Sequence, residues 1–156
     1  MQPQKTKQTI VIEIANTITH GLGVGLAIAG LVLLIIRAAH TGSAIRIVSF
    51  TVYGSLLVLF YLASTMFHAL VFTKAHHVFQ VFDHSMIFLL IAGTYTPYCL
   101  VSIGGWQGWT LFGIIWAMAV CGVVYKSIWL NRVSIWSTVI YIIMGWLCLL
   151  AFKPLW

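Results

Sequence analysis

The run "GLGVGLAIAGLVLLII", residues 21–36, contains no charged residue and decides the fold. A helix needs about 20 mostly apolar residues to cross the hydrocarbon core of a bilayer. With its polar entry and its basic exit, this run extends over about 10–37, which is long enough to span. It is also too long for the apolar part of a cleaved signal peptide, so it reads as a retained helix. The rest of the chain agrees. Of 156 residues, 62% are apolar and 6% charged, against roughly 25% charged in a soluble domain. Such a chain cannot clothe a water-facing surface. The formal charge of +6 would suggest nucleic acid in a soluble protein. Here the few Lys and Arg residues sit between apolar runs, as loop anchors do, so the expected partners are membrane lipids and not nucleic acid.

Four more apolar runs follow, at about 46–72, 78–103, 109–128 and 133–152. None has the alternating period of a barrel strand. The expectation is an all-α, polytopic transmembrane bundle of five spans in one integral membrane domain, 1–156. The connections "TKAHH" and "GGWQG" are short, so consecutive helices should be antiparallel neighbours. With the N-terminus inside, Lys5, Lys7, Lys74, Lys126 and Arg132 fall on the inner side, and Arg37, Arg46 and Lys153 on the outer. The excess favours a cytoplasmic N-terminus and, after five spans, an outer C-terminus.

Smaller features have ordinary readings. Gly21 and Gly25 form a G-x-x-x-G pair followed by Gly30, which suits close packing within the bundle more than a dedicated dimer face. Cys99, Cys121 and Cys148 lie in apolar runs without metal-type pair spacing and read as small hydrophobes. Several Trp residues, among them Trp106, Trp109, Trp116, Trp129, Trp136, Trp146 and Trp156, lie at span ends and read as an interfacial belt.

The scarce ionisable groups are not scattered. The segment 64–85, "STMFHALVFTKAHHVFQVFDHS", holds four of the six histidines and Asp83, one of only two acids. Ser64 and His68 are four apart near the end of the second helix, so they share a face. Asp83 lies near the start of the third. Counting from the connection between them, His68 and Asp83 sit at matching depth, roughly 8–10 Å below it. On the first helix, Glu13, Asn16, Thr17 and His20 fall on one stripe. The entry of helix one, the end of helix two and the start of helix three share a membrane side, so both acids and two histidines converge on one leaflet. Ionisable groups in a span cost on the order of 2.5–3.5 kcal/mol each and require partners or a metal. A histidine, a carboxylate and a nearby hydroxyl are the parts of a metal site with an activated water.

Each residue also has a plainer reading. Asp83 also has a reading as a helix N-cap, Glu13 as an interfacial residue, and Ser64 as an interhelical hydrogen-bonding group. His76 and His77 flank Lys74 and read as solvated loop residues. His84 is about 100° around the helix from Asp83, so both cannot face one point. His68 is the hardest to explain without a functional role.

Three motifs, "EIANTITHGLG" (13–23), "STMFH" (64–68) and "DHSMIFLLIAGTYTP" (83–97), resemble those of the hemolysin III family, the bacterial branch of the progestin and adipoQ receptor superfamily. The resemblance covers nearly the whole chain. It implies a seven-helix fold in a bacterial cell (inner) membrane. It also implies zinc held by three histidines near the cytoplasmic face, one of which matches His68, with the aspartate matching Asp83 holding the metal-bound water. The other two ligands belong to an H-x-x-x-H motif on the last helix, and no such motif occurs here. The chemistry implied for the complete fold is zinc-dependent, ceramidase-like hydrolysis of lipid amides, tied to lipid homeostasis. The reading of this chain is a five-helix form with an incomplete zinc site: His68 as metal ligand, Asp83 and Ser64 as catalytic candidates, and Glu13, Asn16 and His20 as a supporting stripe. Self-association or further C-terminal helices would complete it. The alternative reading is a pore-forming cytolysin or a lipid-responsive receptor without catalysis.

Overall fold

The computed structural model describes residues 3–128 and 135–151. Its long elements are α1 (Pro3–Ala39), α2 (Ala44–Ala69), α3 (His76–Pro97), α4 (Gly105–Ile128) and α5 (Ile135–Trp146). A π-helical segment, Tyr98–Ile103, prolongs α3, and a 3-10 segment, Leu147–Ala151, prolongs α5. The first four are each long and apolar enough to cross a membrane, and the fifth is a shorter apolar helix. The expected fifth span reaches past Ile135 and Ala151 into residues outside those described. No strand occurs among the described residues. The expected helical bundle is therefore present.

The ends of the helices follow local chemistry. After α1 the chain turns through Gly42, whose φ of 65° suits a residue without a Cβ. Pro97 lacks an N–H and breaks the regular hydrogen-bond ladder, and the wider π spacing begins at the next residue. Gly104 and Gly105, both at positive φ, then reverse the chain into α4.

Burial is inverted relative to a water-soluble protein. Leu22, Leu26, Leu33 and Val11 point outward, while Ser49, Ser64, Ser85, Thr96 and Ser137 are buried. An apolar exterior of this extent needs lipid around it, and small polar residues inside let helices approach closely. Composition, helix length and this inversion together make the chain a multi-pass membrane protein.

Neighbours in sequence are neighbours in space, with α1 on α2, α2 on α3 and α3 on α4. Close approach is set by particular glycines. A Cβ on Gly23 would meet the Tyr61 ring at 2.6 Å, and one on Gly54 would meet Leu31 at 2.5 Å. Of the G-x-x-x-G pair, only Gly21 faces α2, opposite Thr65, while Gly25 has nothing within 4 Å. The intramolecular packing expected of that pair is thus delivered by Gly21 and Gly23. The α3–α4 seam is fastened by Trp116 Nε1 donating to Thr96 Oγ1 at 3.1 Å. Trp116 is therefore an interior hydrogen-bonding residue and not part of an interfacial belt. Trp106, Trp109, Trp136 and Trp146 are exposed, as a belt requires, and Trp129 and Trp156 lie outside the described residues. The cysteines are free: Cys99 buried, Cys148 half-buried and Cys121 exposed.

Candidate functional site

The polar stripe of α1 meets the end of α2. Glu13 Oε2 lies 2.7 Å from His68 Nδ1, across the α1–α2 seam. The side chains keep only 17% (His68) and 22% (Glu13) of their exposure. A carboxylate only accepts, so Nδ1 donates, and the neutral imidazole is left with a lone pair on Nε2. His20, two turns along α1 from Glu13, sets its ring edge-on to that of His68 with centroids 5.4 Å apart. It also packs against Tyr61 at 6.1 Å. His20 Nδ1 is buried without a hydrogen-bond partner. Thr17 Oγ1 donates to the Glu13 carbonyl at 2.8 Å, so its hydroxyl is spent on its own helix. Asn16 is half-buried beside them. A groove of about 350 Å³ opens over Glu13, Thr17 and His68 with Ile10, Ile14 and Phe72 around it.

Ser64 is buried one turn before His68. Asp83 is half-buried and eighth in α3, whose N-cap is Ala75, so the capping explanation of Asp83 does not hold. The α2–α3 register comes from Leu56, whose side chain packs on Gly93. In that register Asp83 stands opposite residue 66 and His68 opposite residue 81, a depth difference of roughly 3 Å. The expected common depth is therefore kept to about half a turn. His68 is turned to α1 through its contact with Glu13. Among the described residues no ion pair or hydrogen bond joins Asp83 to His68.

One histidine departs from expectation. His76 belongs to the first turn of α3 and is half-buried, not solvated in a loop. Its ring stacks on Phe67 at 4.6 Å, and its Nδ1 lies 3.3 Å from the Phe67 carbonyl. His84 Nδ1 donates to the Gln80 carbonyl at 2.8 Å, and the His84 carbonyl accepts from Tyr141 Oη at 3.2 Å. The sequence reading also passed over Lys126. Counted there as a loop anchor, it is buried in the last turn of α4. Its membership of the buried stripe Ile115, Ala119, Gly122, Lys126 was the signal available.

The donor set bears on zinc. His68 is dressed as a ligand, since metal-binding histidines commonly hand their second N–H to a carboxylate. A catalytic zinc takes three protein ligands. Among the described residues no group of three His, Cys, Asp or Glu side chains could hold a metal ion. These residues therefore do not fit a complete site.

Comparison with known proteins accords with this architecture. A family model described as "Haemolysin-III related" matches residues 8–156. Hemolysin-3 of Bacillus cereus is 47% identical over 158 aligned positions, covering all of this chain and 72% of that protein. The Hemolysin-3 homolog of Bacillus subtilis is 49% identical, covering 95% of this chain and 70% of the relative. Human monocyte to macrophage differentiation factor is 26% identical, covering 89% of this chain and 59% of its own length. No solved structure matches. Three motifs in order on the right helices, a matching family model and two relatives near one-half identity make this chain a member of the hemolysin III family.

Proposed function

We propose that this hemolysin III protein contributes to a membrane-embedded, zinc-dependent hydrolase of lipid amides, in which His68 is the imidazole offered to the metal and Glu13 fixes its ring. The observation that carries the proposal is the 2.7 Å Glu13–His68 pair, which leaves Nε2 of a half-buried histidine as the free nitrogen. When bound, zinc supplies Lewis acidity and lowers the pKa of a bound water to about 7. In this reading Asp83 is the acid–base carboxylate, Ser64 the buried hydroxyl on the face of His68, and Asn16 and His20 support the stripe. The described residues supply one dressed ligand, so the full set needs donors beyond them.

The chain is placed by this reading in a bacterial cell (inner) membrane, with its N-terminus in the cytoplasm and its substrate among membrane lipids. The test is hydrolysis of a fluorescent ceramide in proteoliposomes by a form extended with two spans bearing H-x-x-x-H. Activity that His68→Ala and Asp83→Asn each abolish supports the reading. Activity that survives both refutes it.

A second reading rests on the name Hemolysin-3 carried by two relatives. In it the chain forms a pore without catalysis. Stepwise conductance in planar bilayers, unchanged in His68→Ala, would favour the pore over the hydrolase.

A further inference from the structure

The interior of the α3–α4–α5 end holds polar groups that the site above does not use. Phe88, Gly122 and Tyr141 mark where the three helices meet. The Phe88 and Tyr141 rings are 4.4 Å apart, and a Cβ on Gly122 would strike the Phe88 ring. One turn from each marker stands a buried polar residue. Ser85 precedes Phe88 on α3, Lys126 follows Gly122 on α4, and Ser137 precedes Tyr141 on α5. Helix direction makes these three steps converge. The start of α3, the end of α4 and the start of α5 lie on one membrane side, the side of Glu13 and His68. The steps of three or four residues also keep each polar group on the buried face of its helix.

All three residues are more than nine-tenths buried, at 6% exposure for Ser85, 8% for Lys126 and 5% for Ser137. Both serine hydroxyls lack a hydrogen-bond partner. Among the described residues no carboxylate pairs with Lys126. Lys126 is packed into the bundle along its stem, near the end of α4. A buried hydroxyl without a partner is costly, which makes Ser85 and Ser137 pointers to something that satisfies them. Asp83, the nearest acid in sequence, lies about 200° around α3 from Ser85.

We propose that Lys126, Ser85 and Ser137 form a binding site for a phosphate-class oxyanion, carried either on an anionic phospholipid headgroup or free in solution. Three donors from three helices match an anion with three or more acceptor oxygens, and lysine supplies a point charge for it. The position near one end of the bundle brings such a headgroup to the leaflet of the Glu13–His68 pair. The site does not depend on zinc or on hydrolysis.

The experiment is native mass spectrometry of the full chain in detergent, titrated with phosphatidic acid, phosphatidylcholine or inorganic phosphate. Phosphatidic acid should bind more tightly than phosphatidylcholine, and Lys126→Met should weaken it on the order of 10- to 100-fold. Lys74→Met, in the exposed turn before α3, should leave it unchanged. The double variant Ser85→Ala/Ser137→Ala should weaken binding and at the same time hold or raise the lipid-free melting temperature, because it deletes two unsatisfied hydroxyls. Competition by inorganic phosphate at comparable concentration assigns the site to free phosphate, and failure to compete assigns it to the headgroup. Wild-type affinity in both Lys126→Met and the double serine variant overturns the proposal. So does a double serine variant that melts lower, since its hydroxyls would then be structural.

Discussion

Glu13 and His68, 55 residues apart, are joined by a 2.7 Å contact that fastens the first helix to the second at one end of the bundle. The contact does two things at once. It offsets the burial of one of the two acids in the chain, and it fixes which nitrogen of His68 is free. Removing Glu13 should separate these effects. In Glu13→Ala the Nδ1 proton loses its acceptor, so the neutral ring should redistribute between tautomers. The ¹⁵N shifts of a histidine-labelled sample report this directly. Stability should fall by about 1–3 kcal/mol, the usual cost of deleting one partner of a partly buried, charge-assisted bond. An unchanged tautomer would show that Glu13 does not orient the ring.

The α1–α2 seam makes a sharper test of packing. Gly23→Ala forces the Tyr61 ring to move and should cost about 1–3 kcal/mol. Gly25→Ala meets nothing and should be neutral or stabilising by up to ~1 kcal/mol through helix propensity. Thermal melting in detergent distinguishes the two. Equal losses would mean that Gly25 packs against another surface, such as a second copy of the chain.

Tyr95 caps the fifth helix from the side. Its hydroxyl donates to the Met144 carbonyl at 2.8 Å, lies 3.1 Å from that of Gly145, and accepts the Cys148 N–H at 2.8 Å. Carbonyls in the last turn of a helix have no partner within it, and the Tyr95 hydroxyl supplies one for Met144. Tyr95→Phe should loosen α5 from α3 and speed maleimide labelling of Cys148 several-fold, with Cys99 still protected by α4. No change in Cys148 labelling would mean that α5 is held by its apolar contacts alone.

The spans were legible because the apolar runs are long and their ends carry Gly, Pro or basic residues. The Glu13–His20 stripe was legible because helical spacing puts those residues on one face whatever the neighbours are. What spacing could not give is the partner. Nothing local says that His68 turns to Glu13 on α1, because that depends on how the two helices rotate about their axes. His76 was misread because a short polar run looks like a loop, and only the tertiary contact with Phe67 shows it helical and packed. Lys126 was misread because a lysine at a span end has a ready explanation in the membrane interface, although its buried stripe was visible in the spacing.

The loop charges favour a cytoplasmic N-terminus, an expectation that reporter fusions test. A fluorescent reporter that folds only in the cytoplasm should light at the N-terminus and stay dark after Trp156. The inner side carries five basic residues against three, so the margin is narrow. Moving Lys5 and Lys7 to glutamine would reduce it to a tie and should yield mixed topology. A dark N-terminal reporter in the parent chain refutes the assignment.

The last expectation concerns zinc. His68 offers Nε2 because Glu13 occupies Nδ1, and His20, its ring 5.4 Å away, brings a second imidazole whose Nδ1 is buried without a partner. Two imidazoles are one ligand short of the three that hold a catalytic zinc against water. Among the described residues no group of three His, Cys, Asp or Glu side chains could hold a metal ion. The 156-residue chain should therefore retain well under one zinc per chain after dialysis against a mild chelator, as measured by elemental analysis, and should show no amidase activity. Adding two spans with H-x-x-x-H should raise the ratio toward one, and His68→Ala should return it to the level of the short form. Glu13→Ala in the extended form should weaken retention by roughly 10- to 100-fold, the usual effect of removing the carboxylate behind a metal-binding histidine. A ratio near one in the short form would overturn this expectation and identify His20, His84 or a second copy of the chain as the source of the missing ligands.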